Sequence, residues 1–249
     1  MAHPAVDAAW HRSSEVGVRM RSPKLGVEED LISDFLEDFQ MKIPRGTIAT
    51  VFREPWLECG CPDIVIVIWK PNLTKTWCSA REPLSNEDFK ILQYLHWTDT
   101  NDFDSIISRF GNRASKSISK LVDANLVLRQ KKGLKPRTLN ISFAIERILA
   151  VEAKVSSWRS ALDQAIRNHW FATDSCVLWP TSAQSNAFEC AATEADVDIL
   201  TLDEPEYNFQ DKSVLRYPKS YASWQFNEWV WRRHLISNEY NTEVAHDES

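Results

Sequence analysis

The run DIVIVIW, Asp63–Trp69, sets the tightest limit on the fold. After its first residue it alternates isoleucine and valine and carries no charged side chain. β-Branched residues are stiff at χ1 and pack well on a pleated surface, so the run reads as a strand. A strand that is apolar on both faces needs cover on both, which is the position of a central strand in a layered α/β structure. Asp63 opens it, directly after Pro62.

Other segments supply the rest of such a core. TIATVFREPW (47–56), IERILAVEAK (145–154), SCVLWP (175–180) and VDILTLDE (197–204) read as further strands. The spacing of Leu31, Ile32, Phe35, Leu36 and Phe39 predicts a helix within residues 26–42. Glu28 precedes Leu31, Ile32 and Phe35 by three, four and seven residues, which puts it on the apolar face. From Trp158 the pattern becomes helical again. Strands alternating with helices predict a mixed α/β core.

Residues 84–140 follow a different plan. SNEDFKILQYLHW has a serine cap and helical spacing, DFDSIISRF reads as a second helix, and RASKSISKLVDANLV as a third. LVLRQKKGLKPRTLNI reads as a hairpin with Gly133 at its tip. Three helices and a hairpin are the element order of a winged helix-turn-helix, whose third helix reads DNA. Charge agrees. The chain as a whole carries −6, yet between Arg113 and Arg137 eight basic residues stand against one acid, Asp123. Arg113, Lys116, Ser117 and Lys120 fall on the polar side of the third helix, and Arg129, Lys131 and Lys132 on the wing. Such a patch is an electrostatic footprint for phosphate.

In the strand at 145–154, Glu152 and Lys154 stand two apart and so share a face. Alone they could be an ion pair at a sheet edge. With Asp63 heading another strand, they permit a second chemistry. Two carboxylates at a strand end hold a hard divalent cation. The cation polarises a phosphodiester, and a lysine beside it orients a water or stabilises the developing charge.

Pro62-Asp63, the following Ile64–Val67 and Glu152-Ala153-Lys154 together resemble the PD-(D/E)xK nuclease superfamily, the restriction-endonuclease-like fold. Trp158–Ala165 is similar to the helix that follows the catalytic strand in many members, with Gln164 at the position of a site-facing glutamine. Glu28 matches the metal-site glutamate of resolvase-like members, with Glu29 as the alternative. The resemblance covers roughly residues 26–70 and 141–202, and departs from the family in the roughly 75 residues between the two central strands, where the winged helix would be an insert. It implies a restriction-endonuclease-like mixed sheet flanked by helices, and a Mg²⁺- or Mn²⁺-dependent endonuclease acting on DNA. Glu28, Asp63 and Glu152 would be its metal ligands, Lys154 its water-positioning group and Gln164 an assistant.

The expected organisation is a leader at 1–22, a discontinuous nuclease core at 23–80 and 141–235, the inserted DNA-binding module at 84–140, and a disordered tail at 236–249. Cleavage of both strands of a duplex predicts a homodimer. The aromatic helix with Trp224, Trp229 and Trp231 is a candidate face for that contact or for another protein partner. Two other classes stay open, a non-catalytic DNA-binding regulator and a nuclease-like subunit of a larger defence or transposition complex. No apolar run reaches the ~18 residues of a membrane span, and no signal-peptide core is visible. The five cysteines are odd in number and unevenly spread, which fits a reducing cytoplasm. Cys59 and Cys61 form a lone C-x-C, read as incidental thiols ahead of a zinc site. The histidines show no metal-ligand spacing.

Overall fold

The computed structural model describes residues 18–22, 24–98, 101–131, 133–209 and 217–247. The chain is mixed α/β and divides into two compact units: residues 1–69 with 145–215, and residues 70–144 with 216–249.

The first unit is built on a five-stranded mixed sheet. Its strands are β2 (Ile48–Arg53), β3 (Ile64–Trp69), β6 (Ile145–Ala153), β7 (Asp174–Trp179) and β8 (Val197–Thr201), and they lie side by side in that order. β3 is antiparallel to both neighbours, whereas β6, β7 and β8 run parallel. As its sequence demands, β3 is interior and every one of its residues is buried. One face of the sheet packs on α1 (Val27–Asp38), where Leu31, Ile32 and Phe35 meet Ile64, Ile66, Leu149 and Val151. On the other face lie α6 (Trp158–Asn168) and α7 (Asn186–Glu194), through Ala161, Ala165, Phe188 and Ala192 against Val177 and Val197. Two short strands, β1 (Gln40–Lys42) and β9 (Glu206–Asn208), pair in parallel beside this core.

Residues 18–22 are not part of a loose leader. Val18 is buried, Met20 bridges to Pro55, and Arg21 pairs with Glu54. An apolar residue and a cation find partners there, which outweighs the ordering entropy. Residues 1–17 of the expected leader lie outside the described residues.

The second unit contains α2 (Asn86–Trp97), α3 (Phe103–Phe110) and α4 (Ala114–Asp123). Then come the hairpin of β4 (Val127–Gln130) and β5 (Gly133–Pro136), and the short α5 (Leu139–Ser142). Gly133 has φ 137°, and a Cβ there would sit 2.4 Å from the Asn101 carbonyl oxygen. That carbonyl accepts the Leu134 N–H at 2.8 Å, so the hairpin tip is clamped where only glycine fits.

The last helix, α8 (Tyr221–Asp247), belongs to this unit rather than to the sheet unit that residues 141–235 were expected to complete. Residues 70–80, also expected in the core, belong here too, in 3-10 turns at Pro71–Thr76 and Ser79–Arg81. The tryptophans of α8 are spent internally. Trp224, Trp229 and Trp231 are all buried, the Trp224 Nε1–H donates to Gln93 Oε1 at 2.8 Å, and Trp231 meets Trp77 edge-on. They do not form an exposed docking face. α8 also extends through 236–247, where a disordered tail was expected; no glycine or proline stands there to stop it. Among the described residues no helix is long and apolar enough to cross a membrane.

Candidate functional site

The antiparallel register of β3 and β6 pairs Ile64 with Val151 and Val65 with Ala150. Continued by one residue, it sets Asp63 opposite Glu152 across the two central strands. Asp63 Oδ2 accepts the Ala153 N–H at 2.8 Å, which holds the carboxylate against β6. Glu152 is 5 % exposed, and its Oε1 accepts from Asn168 Nδ2 on α6 at 2.8 Å. Lys154 follows the last residue of β6 but keeps its register, its N–H donating to the Leu178 carbonyl. Its ammonium donates to the Ala153 carbonyl at 2.9 Å and to Glu28 Oε2 in the first turn of α1 at 3.2 Å.

Two acids facing each other in a dry sheet repel, and like charges directly opposite are unfavourable. Burial, reinforced by the Asp63 carboxylate, pushes the Glu152 carboxyl up to about 8, against the Asn168 hydrogen bond and the nearby charge of Lys154. Burial raises Asp63 as well, opposed by the Ala153 N–H and by Lys154. At neutral pH Glu152 therefore holds a proton beside Asp63.

The sequence-predicted core residues do not all share one position. Asp63, Glu152 and Lys154 come together. Glu28 joins through Lys154, while its neighbour Glu29 is committed to Arg53 at 2.5 Å. Among the described residues no group of three His, Cys, Asp or Glu side chains that could hold a metal ion is found, and Glu28 meets the pair through the Lys154 ammonium. Gln164 lies one turn before Asn168 on α6, on the same face, and its Oε1 is buried with no hydrogen-bond partner.

Asn168 and Glu54 beside the site escape a reading of the sequence alone, and the C-x-C cysteines carry no sequence signal of their place there. Asn168 falls in the apolar stripe Ala161, Leu162, Ala165, and a polar residue at a buried stripe position was the available signal. Glu54 is 4 % exposed at φ 42°, an uncommon backbone for a non-glycine residue. It accepts from Arg21, whose guanidinium also lies 4.0 Å from Asp63. Cys59 and Cys61 flank the same centre, and burial pushes the Cys59 thiol up to about 11, with Glu152 adding to the effect. Both thiols stay protonated, the poorer state for a metal ligand. Asn168→Ala is expected to move the Glu152 titration to still higher pH, because the hydrogen bond it removes favours the charged form. Carboxyl-carbon NMR across the alkaline range checks this.

The basic face of the helical unit divides in two. Arg113 and Lys116 are exposed, together with Ser115 and Ser119. Arg129 and Lys131 are exposed on the hairpin, and Arg129 Nη2 reaches Ser119 Oγ at 3.4 Å. Ser117 and Lys120 face inward instead. Lys120 Nζ donates to Asp88 Oδ2 at 3.1 Å, and Ser117, 8 % exposed, bonds to the same carboxylate. Asp88 is itself buried and closes the capping box of α2, accepting the Ser85 N–H at 2.8 Å. Burial pushes its carboxyl up, but the hydrogen bonds from Ser117, Ser85 and Lys120 outweigh that and hold it below its ordinary value. A buried acid needs donors, and these two residues of α4 supply them. Lys132 lies outside the described residues.

No protein-family model matches the chain, and neither the curated proteins nor the solved structures give a match.

Proposed function

We propose that the chain is a metal-dependent deoxyribonuclease, with a restriction-endonuclease-like sheet unit that cleaves and a winged-helix unit that binds DNA. The observation that carries this reading is the cross-strand pairing of Asp63 with Glu152, with the Lys154 ammonium at the same strand end. An acid pair in a buried sheet costs stability unless something offsets the charge. A divalent cation of the Mg²⁺ or Mn²⁺ type is the simplest partner. Such ions take one or two carboxylates and complete their shell with water and substrate phosphate, so a third side chain is not required. The unpartnered, buried Oε1 of Gln164 favours the same conclusion, since a bound water or ion would satisfy it. When bound, the cation supplies Lewis-acid polarisation of the phosphodiester.

This chain's own residues would do the following. Asp63 and Glu152 hold the cation, and the Ala153 N–H and Asn168 fix their orientation. Lys154, tethered by the Ala153 carbonyl and Glu28, presents its ammonium where negative charge grows on the phosphate. Arg113, Lys116, Arg129 and Lys131 would contact the DNA backbone. The alternative of a non-catalytic DNA-binding regulator, or of a nuclease-like subunit of a larger complex, keeps the same basic surface but makes no use of the acid pair.

Incubation of the purified chain with plasmid DNA tests the reading. Mg²⁺ should convert supercoiled plasmid to nicked or linear forms, and a chelator should stop it. Intact plasmid at saturating enzyme and metal would leave the regulator reading. For binding, Arg113→Ala with Lys116→Ala should weaken affinity and lower the salt slope by about 1 for each phosphate no longer neutralised. Lys120→Ala should leave the slope alone and lower the melting temperature, because it strands Asp88. A salt titration of both variants beside a thermal melt separates the two roles.

A further inference from the structure

Trp56 is 60 % exposed on a loop that is tied down along its length. Its N–H donates to the Arg19 carbonyl at 2.8 Å, and the Glu54 N–H donates to the Asp63 carbonyl at 3.0 Å. Pro55 bridges to Met20 and Leu57 to Gly60. Leu57, the next residue, is 2 % exposed and anchors the loop in the core. The backbone around the indole is thus fixed while its ring faces solvent. An isolated exposed aromatic needs no explanation by itself; the surroundings of this one do. Glu54 is hydrogen-bonded directly to Asp63, and two further residues of extended chain span at most about 7 Å. Cys59 and Cys61, on the far limb of the same loop, feel the Glu152 charge. The loop that bears Trp56 therefore borders the Asp63–Glu152 pair from both limbs.

The neighbouring charge is mixed: Arg21 is paired with Glu54, and Glu58 is exposed two residues beyond Trp56. Arg19, whose carbonyl holds Trp56, is exposed, and Arg21 is 44 % exposed at its side chain with its guanidinium 4.0 Å from Asp63. An exposed ring on an anchored backbone, with the exposed Arg19 paired to it through the backbone, suits an unpaired strand: the ring stacks a base and the arginine takes a phosphate. A paired duplex offers no free base face to a side chain on a rigid loop. We infer that Trp56, with Arg19, binds an unpaired nucleotide beside the acid pair, so that the chain cuts single-stranded or flapped DNA faster than a blunt duplex. The strand-binding site stands on its own geometry; its role in choosing the substrate rests on the nuclease reading.

The test uses the full chain with chelator present, so that binding is measured without cleavage. The probes are a short labelled single strand of mixed sequence, the blunt duplex of that sequence, and the same duplex with an unpaired flap. Fluorescence anisotropy should show Trp56→Ala weakening the single strand and the flap about tenfold, with the blunt duplex unchanged. Trp56→Tyr should keep most of the affinity, since it keeps a ring to stack on. Arg19→Ala should reduce the salt slope on the single strand. Thermal melts of the Trp56 variants should match the wild type because the indole is exposed. Equal affinity of wild type and Trp56→Ala for the single strand, or an equal loss on all three probes, overturns the inference. Cleavage with Mg²⁺ on the same probes then separates the two claims. Trp56-dependent binding without any cleavage would sink the nuclease reading alone, and flap cleavage indifferent to Trp56 would sink the strand-binding site alone.

Discussion

Glu152→Gln is expected to remove Mg²⁺-dependent DNA cleavage by at least about 10²–10³-fold and, at the same time, to stabilise the metal-free protein at pH 8 and above. The two effects have one cause. In the folded chain the Glu152 carboxyl titrates at about 8, against an ordinary value of 4.5. Below 4.5 both folded and unfolded chains carry the proton, and nothing is lost. As pH rises from there, the unfolded chain releases its proton freely while the folded chain still holds it, so stability falls until the folded carboxyl ionises near 8. The loss is on the order of 5 kcal/mol. Glutamine keeps an oxygen for Asn168, carries no charge to desolvate, and removes that penalty. Thermal melts in chelator from acid to alkaline pH should show the wild type declining across this window and Glu152→Gln nearly flat. The same linkage makes cation binding release a proton below pH 8, so apparent Mg²⁺ affinity should weaken as pH falls. A metal-independent pH profile in the wild type would contradict this.

Arg81→Ala is expected to cost the helical unit about 3–5 kcal/mol. Arg81 is 2 % exposed and Glu228, on α8, is fully buried. The guanidinium donates to both oxygens of that carboxylate, at 2.9 and 2.5 Å, and to the Ser142 carbonyl at 3.0 Å, and it lies 3.4 Å from the centre of the Trp77 ring. Alanine leaves the Glu228 carboxylate in the core without the guanidinium that hydrogen-bonds it, and the nearby Arg232 would offset only part of that charge. Asn227 cannot take over, because its Oδ1 accepts the Ala144 N–H and its amide already donates to Ser142 and Glu228. Far-ultraviolet circular dichroism against denaturant should show the helical signal disappearing at lower concentration. Adding Glu228→Gln to Arg81→Ala should recover part of the loss, since it removes the stranded charge. If Arg81→Ala unfolds like the wild type, this ion pair is not what fixes α8 to the unit.

The strands of the sheet were legible because β-branched runs state their own burial, and β3 announced its central place. The chemistry-bearing letters were legible too, but not their alignment. Whether Asp63 meets Glu152 depends on the register of two strands separated by a whole module, and register is set by non-local pairing that no local pattern encodes. β1 and β9, three residues each, are too short to carry a period. The aromatic pattern of α8 said that its face is buried but could not say against what; α2 and Trp77 take it. The third helix shows the limit most clearly. Arg113, Lys116, Ser117 and Lys120 look alike as a polar stripe, yet two of them answer the buried Asp88 of another helix. That need is visible only once α2 and α4 are packed together.

The central claim is that the Asp63–Glu152 pair and the Lys154 ammonium hydrolyse DNA that the basic helical unit holds. Lys154→Met tests it most directly, because it removes the ammonium and leaves the acid pair and the basic face of α4 in place. Binding and Mg²⁺-dependent cleavage should be followed in one sample on one labelled flapped duplex. Lys154→Met should bind this DNA as the wild type does, with the same salt slope, and should not cleave it. Cleavage by Lys154→Met at the wild-type rate, or no cleavage by the wild type under any divalent cation, would contradict the claim.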